Sequence, residues 1–205
     1  MPDALQELRR ADPVMRRLVD EHGPLNEEQR RRGRPLEPYG ALVRSIVGQQ
    51  LSTKAAESIY GRLIEKFDGH PPAPGELLAL DPEDLRSVGL SHAKVAYLRD
   101  LAERVEDGEL QLDLLRELPD EDVSAQLTAV KGVGQWTTDM FLMFNLGRPD
   151  VFPVGDLGIR NAMKRLYDLP EKPAITDYTR IAESWRPYRS LASLYLWTAL
   201  RALPV

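Results

Sequence analysis

The sequence of 205 residues contains no cysteine. This absence excludes disulfide bonds, cysteine-ligated zinc, iron–sulfur clusters and a thiol nucleophile. Long apolar runs are also missing, since no stretch approaches the roughly 20 residues that a membrane helix requires. Residues 1–7 are acidic and amphipathic, without the apolar core of a signal peptide. We therefore expect a soluble, intracellular protein with no membrane partner.

Excess positive charge is the next feature that the chain lacks. Its 27 basic and 32 acidic residues give a formal net charge of −5 at pH 7, which argues against a protein that coats nucleic acid nonspecifically. A local basic face is compatible with that total. The arginine-rich run 30–35 is either a solvated connector or a phosphate-contacting loop, and its composition favours the connector.

Signals for β-structure are weak as well. No hairpin dipeptide lies between alternating apolar and polar residues, whereas apolar residues recur at helical spacing through most of the chain. Asp12, Ser52 and Asp81 have the residue type and position of helix N-caps. The pattern predicts an all-α fold with helices at about 13–21, 39–49, 52–67, 75–80, 82–87, 91–105, 109–116, 120–130, 135–145, 156–167, 176–185 and 190–202.

The Pro-rich segment Gly69–Gly75 is the clearest break in the chain, but it is short. We therefore predict one domain over residues 1–205 that consists of two helical lobes with a cleft between them. The central lobe would cover about 37–146. The second lobe would combine 1–36 with 147–205.

Two neighbouring segments carry the chemistry. Leu127–Thr138 is typical of two helices joined by a turn at Gly132 and Gly134. Backbone N–H groups at such a turn can bind a phosphate without any side-chain charge. In Val151–Gly158, the carboxylate of Asp156 lies at what the pattern predicts to be another helix start. A carboxylate close to a bound phosphate can act on the adjacent sugar, so the pairing indicates a protein that grips a nucleic-acid backbone and reacts with it.

The same segments resemble the helix-hairpin-helix (HhH-GPD) DNA glycosylase superfamily, and within it the 3-methyladenine DNA glycosylase II branch. The resemblance rests on Lys131–Met140, Phe152–Ile159, Ile46–Ala56, Val88–Lys94 and Trp185–Ser190, which follow one another in the family's order. It implies an all-α glycosylase fold whose two lobes flank a DNA-binding cleft. About 36 residues precede the matching region, so we expect the compact form, without the extra N-terminal domain of many bacterial members.

Asp156 aligns with the family's essential aspartate. A carboxylate there would stabilise the positive charge that develops on deoxyribose as the glycosidic bond breaks, and would orient the attacking water. Its local sequence alone is equally typical of a helix N-cap, and the two roles are compatible. Among the neighbouring carboxylates, we interpret Asp139 as a helix-surface residue and Asp150 as a turn residue.

Trp136 occupies the position where glycosylases that also cut the DNA strand have a nucleophilic lysine. The resemblance therefore implies simple hydrolysis that leaves an abasic site. An indole face attracts a purine made cationic by alkylation, although a core role for Trp136 is the alternative. The resemblance also places Trp197, Met140 and Tyr195 in the base pocket. Met140 stands where relatives can carry tyrosine, and Tyr195 fits a core position equally well.

Base extrusion and DNA contact are assigned by the same resemblance. A base inside a duplex is inaccessible, so such an enzyme must extrude its target and fill the gap. The segment Gln49-Gln50-Leu51 matches the family's wedge region, with Gln50 or Leu51 as the wedge and Gln49 as a helper. An ordinary turn is the alternative. The residues expected to contact phosphate are Gly132, Gly134, Lys131, Ser91 and Lys94.

No cofactor is expected to be required. The resemblance implies a structural Na⁺ or K⁺ at the hairpin, bound by the backbone carbonyls of Thr128, Val130 and Val133. The expected partner is damaged double-stranded DNA, and the expected state is a monomer. We expect a nucleoid-associated protein of the cytoplasm in a bacterium or archaeon, and a nuclear one in a eukaryote.

The function expected from these features is monofunctional base-excision repair of alkylated purines such as 3-methyladenine and 7-methylguanine. A non-catalytic helix-hairpin-helix DNA-binding module is the alternative. It accounts for the glycine turn but leaves Asp156, Trp136 and Trp197 unexplained. Trp136 argues against a lyase for oxidised guanine. A helical scaffold protein would not explain why the matching segments follow the family's order.

Overall fold

The computed structural model describes residues 2–25 and 37–202. Within these ranges it contains twelve α-helices, two 3-10 helices and no strand, which confirms the predicted all-α fold. The α-helices are α1 (Pro2–Ala11), α2 (Pro13–His22), α3 (Pro38–Gly48), α4 (Thr53–Glu65), α5 (Pro74–Ala79), α6 (Pro82–Ser87), α7 (His92–Glu106), α8 (Asp120–Thr128), α9 (Gln135–Phe144), α10 (Leu157–Leu166), α11 (Ile175–Ala182) and α12 (Arg189–Ala202). The run 30–35 lies outside the described residues.

The helix starts follow the capping residues that the sequence indicates. Asp12 Oδ1 accepts the N–H of Val14 at 2.7 Å, Ser52 Oγ accepts that of Ala55 at 3.3 Å, and Asp81 Oδ1 accepts that of Glu83 at 2.8 Å. Each cap satisfies an N–H group that has no partner within its helix and contributes about 1 kcal/mol.

Three segments differ from the sequence prediction. Helix α1 was not predicted; it is held against α2 by buried Leu8 and by an Arg9–Asp20 ion pair of 2.6 Å. The helix expected at 109–116 is a 3-10 helix at Leu112–Glu117, and the end of the helix expected at 176–185 is a separate 3-10 helix at Glu183–Trp185. Short elements of this kind depend on packing rather than on propensity, so their type is poorly encoded locally.

The chain divides into two compact units. The first combines the described residues of Met1–Gly33 with those of Leu142–Val205, and the second contains those of Arg34–Phe141. The chain passes back from the second unit to the first between Phe141 and Leu142, inside α9. This point lies before the boundary predicted at about 146. None of the described helices is both long and apolar enough to cross a membrane.

The first unit is built around a buried carboxylate that joins the two ends of the chain. Asp12 is 5% exposed, and its Oδ2 accepts hydrogen bonds from the hydroxyl of Tyr167 at 2.9 Å and from the indole Nε1 of Trp185 at 3.0 Å. Trp185 is itself fully buried. Removing one partner of such a buried charged network costs about 3–5 kcal/mol, so Asp12 fixes α2 against the C-terminal helices.

The second unit packs α3 against α4 and α7, and α7 against α5 and α6. Four apolar side chains of α3, which recur at helical spacing, are buried: Leu42, Val43, Ile46 and Val47. On α4, the buried residues are Tyr60 and Leu63. Helix α7 contributes Leu98 and Leu101 to the core, and its central position brings it close to several turns of the unit.

Candidate active site

The turn between α8 and α9 is closed by backbone hydrogen bonds. The N–H of Val133 donates to the carbonyl of Val130 at 3.1 Å, and Gly132 has a φ of 77°, in the left-handed region that favours glycine. The ring of Tyr97 lies against Gly132, where a Cβ atom would overlap it. The fold of the turn itself therefore requires glycine at position 132.

Gly134 is different. It immediately precedes α9, it is exposed, and a Cβ atom built there would meet no protein atom within 4 Å. The protein's own packing thus gives no reason for glycine at this position. Open space beside the N–H groups at the start of α9 suits the close approach of a phosphate. This placement agrees with the predicted phosphate-binding turn.

A buried aspartate that the sequence did not single out anchors this turn. The Oδ2 atom of Asp100 accepts the backbone N–H of Lys131 at 2.9 Å and the Nε–H of Arg104 at 3.1 Å, and Oδ1 lies 3.0 Å from Lys131 Nζ. Burial acts to raise the pKa of Asp100, but the hydrogen bonds from Lys131 and Arg104 outweigh it, and the pKa is lowered. The predicted phosphate ligand Lys131 is therefore paired with Asp100, although its side chain is 70% exposed.

The predicted wedge turn follows α3. Gln50 is exposed and has a φ of 57°, which is uncommon for a residue other than glycine, and Leu51 is 37% exposed. Strained, exposed residues of this kind concentrate at functional sites. The side chain of Gln49 turns the other way and donates from Nε2 to the carbonyl of Gly132 at 2.8 Å. The wedge turn and the hairpin turn are thus directly bonded.

Lys94 does not have the environment expected of a phosphate ligand. Its Nζ atom donates to the carbonyls of Val47 at 2.7 Å and Gln49 at 2.8 Å, at the end of α3. Desolvation lowers the pKa of Lys94. Its ammonium group therefore satisfies helix-end carbonyls rather than facing solvent. Ser91, the other expected phosphate contact on this segment, caps α7 through the N–H of Lys94 at 3.2 Å and stays exposed.

Trp136 is 39% exposed, which excludes the alternative that it is a core residue. It lines a cavity of about 210 Å³ together with Leu51, one of the two predicted wedge residues. Helices α3 and α4 supply the polar part of the lining, including Arg44 and Glu57. The structure thus brings the expected stacking residue and the expected wedge residue to one concave surface.

Asp156 is the N-cap of α10, as its local sequence indicates. Its Oδ1 atom accepts the N–H of Ile159 at 2.9 Å and the indole Nε1–H of Trp197 at 2.9 Å. A Cβ atom at Gly158 would lie 3.0 Å from the same oxygen, so the small residue keeps space for the carboxylate. The carboxylate is partly exposed and stands at a helix N-terminus, where the helix dipole favours negative charge.

The other predicted pocket residues are more buried than expected. Trp197 is 7% exposed and stacks on Phe144 with ring centroids 5.9 Å apart, so the clearest role of its indole is the hydrogen bond to Asp156. Met140 is 1% exposed. Tyr195 is fully buried, and its hydroxyl donates to the carbonyl of Gly23 at 2.7 Å. For Met140 and Tyr195 the structure favours core packing over base contact.

Asp139 and Asp150, the two carboxylates considered beside Asp156, are each held by contacts within the protein. Asp139 is 8% exposed, so its interpretation as a helix-surface residue was wrong; burial raises its pKa to about 6, against a hydrogen bond from Gln135 at 2.8 Å. The helical spacing of α9 did not reveal that this face is covered. Asp150 lies in a turn, as predicted, and pairs with Arg186 at 2.6 Å and Arg189 at 2.8 Å.

The carbonyls proposed for a monovalent cation lie where α8 ends and the hairpin begins. Thr128 is the last residue of α8, Val130 and Val133 follow in the turn, and carbonyls at a helix C-terminus carry partial negative charge. The Val130 oxygen already accepts one hydrogen bond from Val133 and retains a second lone pair. This neutral oxygen set fits Na⁺ or K⁺ better than a divalent ion, which prefers carboxylates.

A hairpin turn with open space at Gly134, an exposed indole at Trp136 and an N-cap aspartate at Asp156 therefore occur in one all-α chain. The sequence pattern described as HhH-GPD superfamily base excision DNA repair protein matches residues 43–187. The chain belongs to the HhH-GPD superfamily. This confirms the superfamily expected from the motifs.

Curated relatives identify the branch. DNA-3-methyladenine glycosylase 1 of Schizosaccharomyces pombe is 37% identical over 163 residues, which are 78% of this chain and 72% of that protein. YfjP of Bacillus subtilis is 36% identical over 168 residues, which are 79% of this chain but 58% of YfjP. The chain thus spans little more than half the length of YfjP.

Solved structures agree with this placement. Mag1, the 3-methyladenine DNA glycosylase of Schizosaccharomyces pombe solved in complex with abasic DNA, has a TM-score of 0.87 and 34% identity, with 97% of each chain covered. The DNA-3-methyladenine glycosidase of Bacillus halodurans has a TM-score of 0.83 and 37% identity, with 96% of this chain and 88% of that chain covered. An 8-oxoguanine glycosylase/lyase of Clostridium acetobutylicum, at 21% identity, shares the fold.

Proposed function

We propose that this HhH-GPD protein is a monofunctional DNA glycosylase that excises alkylated purines such as 3-methyladenine and 7-methylguanine from double-stranded DNA. The observation that carries the proposal is the carboxylate of Asp156, held at the N-terminus of α10 by the indole N–H of Trp197. A carboxylate fixed in this way can stabilise a cationic transition state without reorganising. The names and structures of the relatives support the same reaction.

The proposed reaction is a hydrolysis at C1′ of the extruded nucleotide. The bond between C1′ and the base nitrogen breaks, and its electron pair leaves with the base, so a cationic alkylated purine departs as a neutral molecule. Asp156 stabilises the positive charge on the sugar and accepts a hydrogen bond from water. The water oxygen then bonds to C1′, its proton passes to Asp156 or to solvent, and an abasic site remains.

The absence of an amine on α9 supports hydrolysis over strand cleavage. Trp136 stands where relatives with lyase activity have lysine, and α9 contains no lysine at all. A β-elimination pathway through a covalent imine therefore has no nucleophile on this helix. The exposed indole instead offers a π-face to a cationic base.

Secondary proposals follow from the same function. The hairpin carbonyls would hold Na⁺ or K⁺ and so bring positive charge close to a DNA phosphate. We propose a monomeric enzyme that acts where the DNA is, in the nucleoid region of a prokaryotic cytoplasm or in a eukaryotic nucleus.

The decisive experiment measures free bases released from methylated duplex DNA. The wild-type protein should release alkylated purines and leave the strand intact until alkali is added. Asp156→Asn, which keeps a side-chain oxygen for capping, should lower the rate by roughly 10²-fold or more. Asp81→Asn, which changes the exposed N-cap of α6 in the same way, is the matched control and should retain wild-type activity.

Each other outcome has a definite meaning. Equal release by wild type and Asp156→Asn would refute the catalytic assignment. DNA binding with no release by wild type would favour the binding module. Strand scission without alkali would contradict the hydrolytic mechanism.

A further inference from the structure

We propose that one face of α7, formed by Lys94, Tyr97 and Asp100, is a positioning surface that holds the wedge turn Gln49–Leu51 in register with the hairpin turn Val130–Gly134. The three residues follow one another at intervals of three, so they lie along one side of the helix. This inference rests on the proposed function. It assigns these residues a role in base extrusion without contact to DNA.

Lys94 holds the wedge turn. Its Nζ atom bonds the carbonyls of Val47 and Gln49 at 2.7 and 2.8 Å, which are at the end of α3 and the start of the turn. The ammonium group is thereby committed to two protein acceptors. A partly buried cation with two short hydrogen bonds to carbonyls is a strong constraint on the backbone that carries them. The strained residue Gln50 follows directly.

Tyr97 and Asp100 hold the hairpin turn. The Tyr97 ring covers Gly132, which leaves no room for a side chain there. One turn further along, the Asp100 carboxylate accepts the backbone N–H of Lys131 at 2.9 Å. Asp100 has a 9% exposed side chain and is also bonded by Arg104, so the anchor is itself fixed.

Gln49 closes the arrangement. Its side chain donates to the carbonyl of Gly132 at 2.8 Å, across the two turns that α7 supports. Wedge turn, hairpin turn and α7 therefore form a closed set of contacts within the second unit. A set of this kind fixes the distance between the phosphate that the hairpin grips and the side chain that enters the duplex.

The functional consequence concerns geometry. The hairpin must hold the backbone at a set distance from the wedge if binding is to drive a nucleotide out of the stack. A misplacement of about 1 Å can cost on the order of 10²-fold in rate. The positioning surface supplies this precision through side chains that act by way of other residues.

The test compares two roles of Lys94 that predict opposite results. A lysine that contacts phosphate contributes to the salt dependence of DNA binding, and its loss reduces the slope of log Kobs against log[salt] by about 0.9. A lysine that positions the wedge turn leaves that slope unchanged and weakens extrusion. Lys94→Met removes the charge and keeps the aliphatic length. Lys66→Met, at an exposed lysine paired with Asp84, is the control for loss of one positive charge.

Two quantities are measured on the full chain. Binding to duplex DNA with an abasic-site analogue, titrated across salt concentrations, gives the slope. A duplex with 2-aminopurine beside the lesion gives the extent of extrusion as an increase in fluorescence. We expect Lys94→Met to keep the wild-type slope and lose roughly tenfold or more in extrusion, while Lys66→Met matches wild type in extrusion.

A reduced slope with unchanged extrusion in Lys94→Met would overturn the proposal and restore the phosphate role. If Lys94→Met does not fold, Asp100→Ala gives the same test, because it removes the acceptor for the Lys131 N–H that holds the hairpin turn; unchanged extrusion there would overturn the proposal. Neither measurement requires glycosidic cleavage. Failure of the proposed function would instead appear as extrusion by wild type without released base.

Discussion

The indole N–H of Trp197 donates a hydrogen bond to Asp156 Oδ1 at 2.9 Å, and the same oxygen accepts the N–H of Ile159 at 2.9 Å. The carboxylate is thus held both by the helix it caps and by a side chain from α12. The stacking of Trp197 on Phe144 fixes the indole in turn. The family resemblance assigns Trp197 to the base pocket, whereas in the structure its indole is a hydrogen-bond partner of Asp156, the proposed catalytic group.

Trp197→Phe should separate these two roles, because it keeps an aromatic ring against Phe144 and removes the N–H donor. We expect kcat for base release to fall by about tenfold or more, with KM nearly unchanged and a loss of about 1–3 kcal/mol in the free energy of unfolding. Single-turnover kinetics and urea unfolding check these values.

The matched control for that substitution is Trp185→Phe. It removes an indole N–H from another aspartate of the same unit, the structural Asp12. It should lower stability without lowering kcat in the remaining folded protein. Wild-type kcat in Trp197→Phe would show that the hydrogen bond to Asp156 only stabilises the fold.

The two hairpin glycines should respond oppositely to alanine. Gly132→Ala places a Cβ against Tyr97 at a φ of 77°, so we expect a loss of more than about 2 kcal/mol in stability. Gly134→Ala meets open space and should change stability by less than about 1 kcal/mol. Its DNA affinity should nevertheless fall, because the methyl group occupies the space proposed for the phosphate.

Thermal unfolding and binding to abasic-site DNA distinguish the two effects. Unchanged DNA binding by a stable Gly134→Ala variant would mean that the phosphate lies elsewhere. DNA binding by Gly132→Ala is measured at a temperature below its unfolding transition, so that unfolded protein does not contribute to any loss of binding.

The sequence was a reliable guide wherever local chemistry decides the structure. Asp12, Ser52 and Asp81 are caps because their side chains bond N–H groups two or three residues away. The same locality made Gly132 recognisable as a turn residue. Family resemblance added the prediction that Asp156 is catalytic, because a capping pattern alone does not distinguish a catalytic aspartate from an ordinary N-cap.

The contacts that escaped prediction join residues far apart in the chain. Asp100 reaches Lys131 across 31 positions, and Trp197 reaches Asp156 across 41. No local periodicity records such pairs, because they depend on how helices pack. Lys94 illustrates the consequence: a lysine after an N-cap suggests a solvent-facing charge, and only the packing of α7 against α3 shows that it binds carbonyls.

Asp139 should make stability depend on pH. Its folded pKa of about 6 lies above the value of 3.8 for an unperturbed carboxyl, so the folded state binds more protons between these values. Stability therefore falls as pH rises from about 4 through 6, by on the order of 3 kcal/mol at most. Asp139→Asn removes this term and should become more stable relative to wild type across that range.

Urea unfolding at pH 4.5 and pH 7.5 measures the difference. Asp113→Asn, at an exposed position of the 3-10 helix Leu112–Glu117, is the control for the loss of one carboxylate. A constant difference in unfolding free energy between wild type and Asp139→Asn at both pH values would contradict the assignment of a buried carboxyl with a raised pKa.

Trp136→Ala should affect cationic bases more than neutral ones. An indole face stabilises a cation by about 0.5–2 kcal/mol beyond ordinary stacking, which corresponds to roughly 2- to 30-fold in rate. Release of 7-methylguanine should therefore fall further than release of neutral hypoxanthine, each measured by single-turnover kinetics. Trp136→Phe keeps a weaker π-face and should give an intermediate result. Both substrates lose stacking on the indole in Trp136→Ala. Equal losses in the rate of release would therefore show that Trp136 recognises the shape of the base and not its charge.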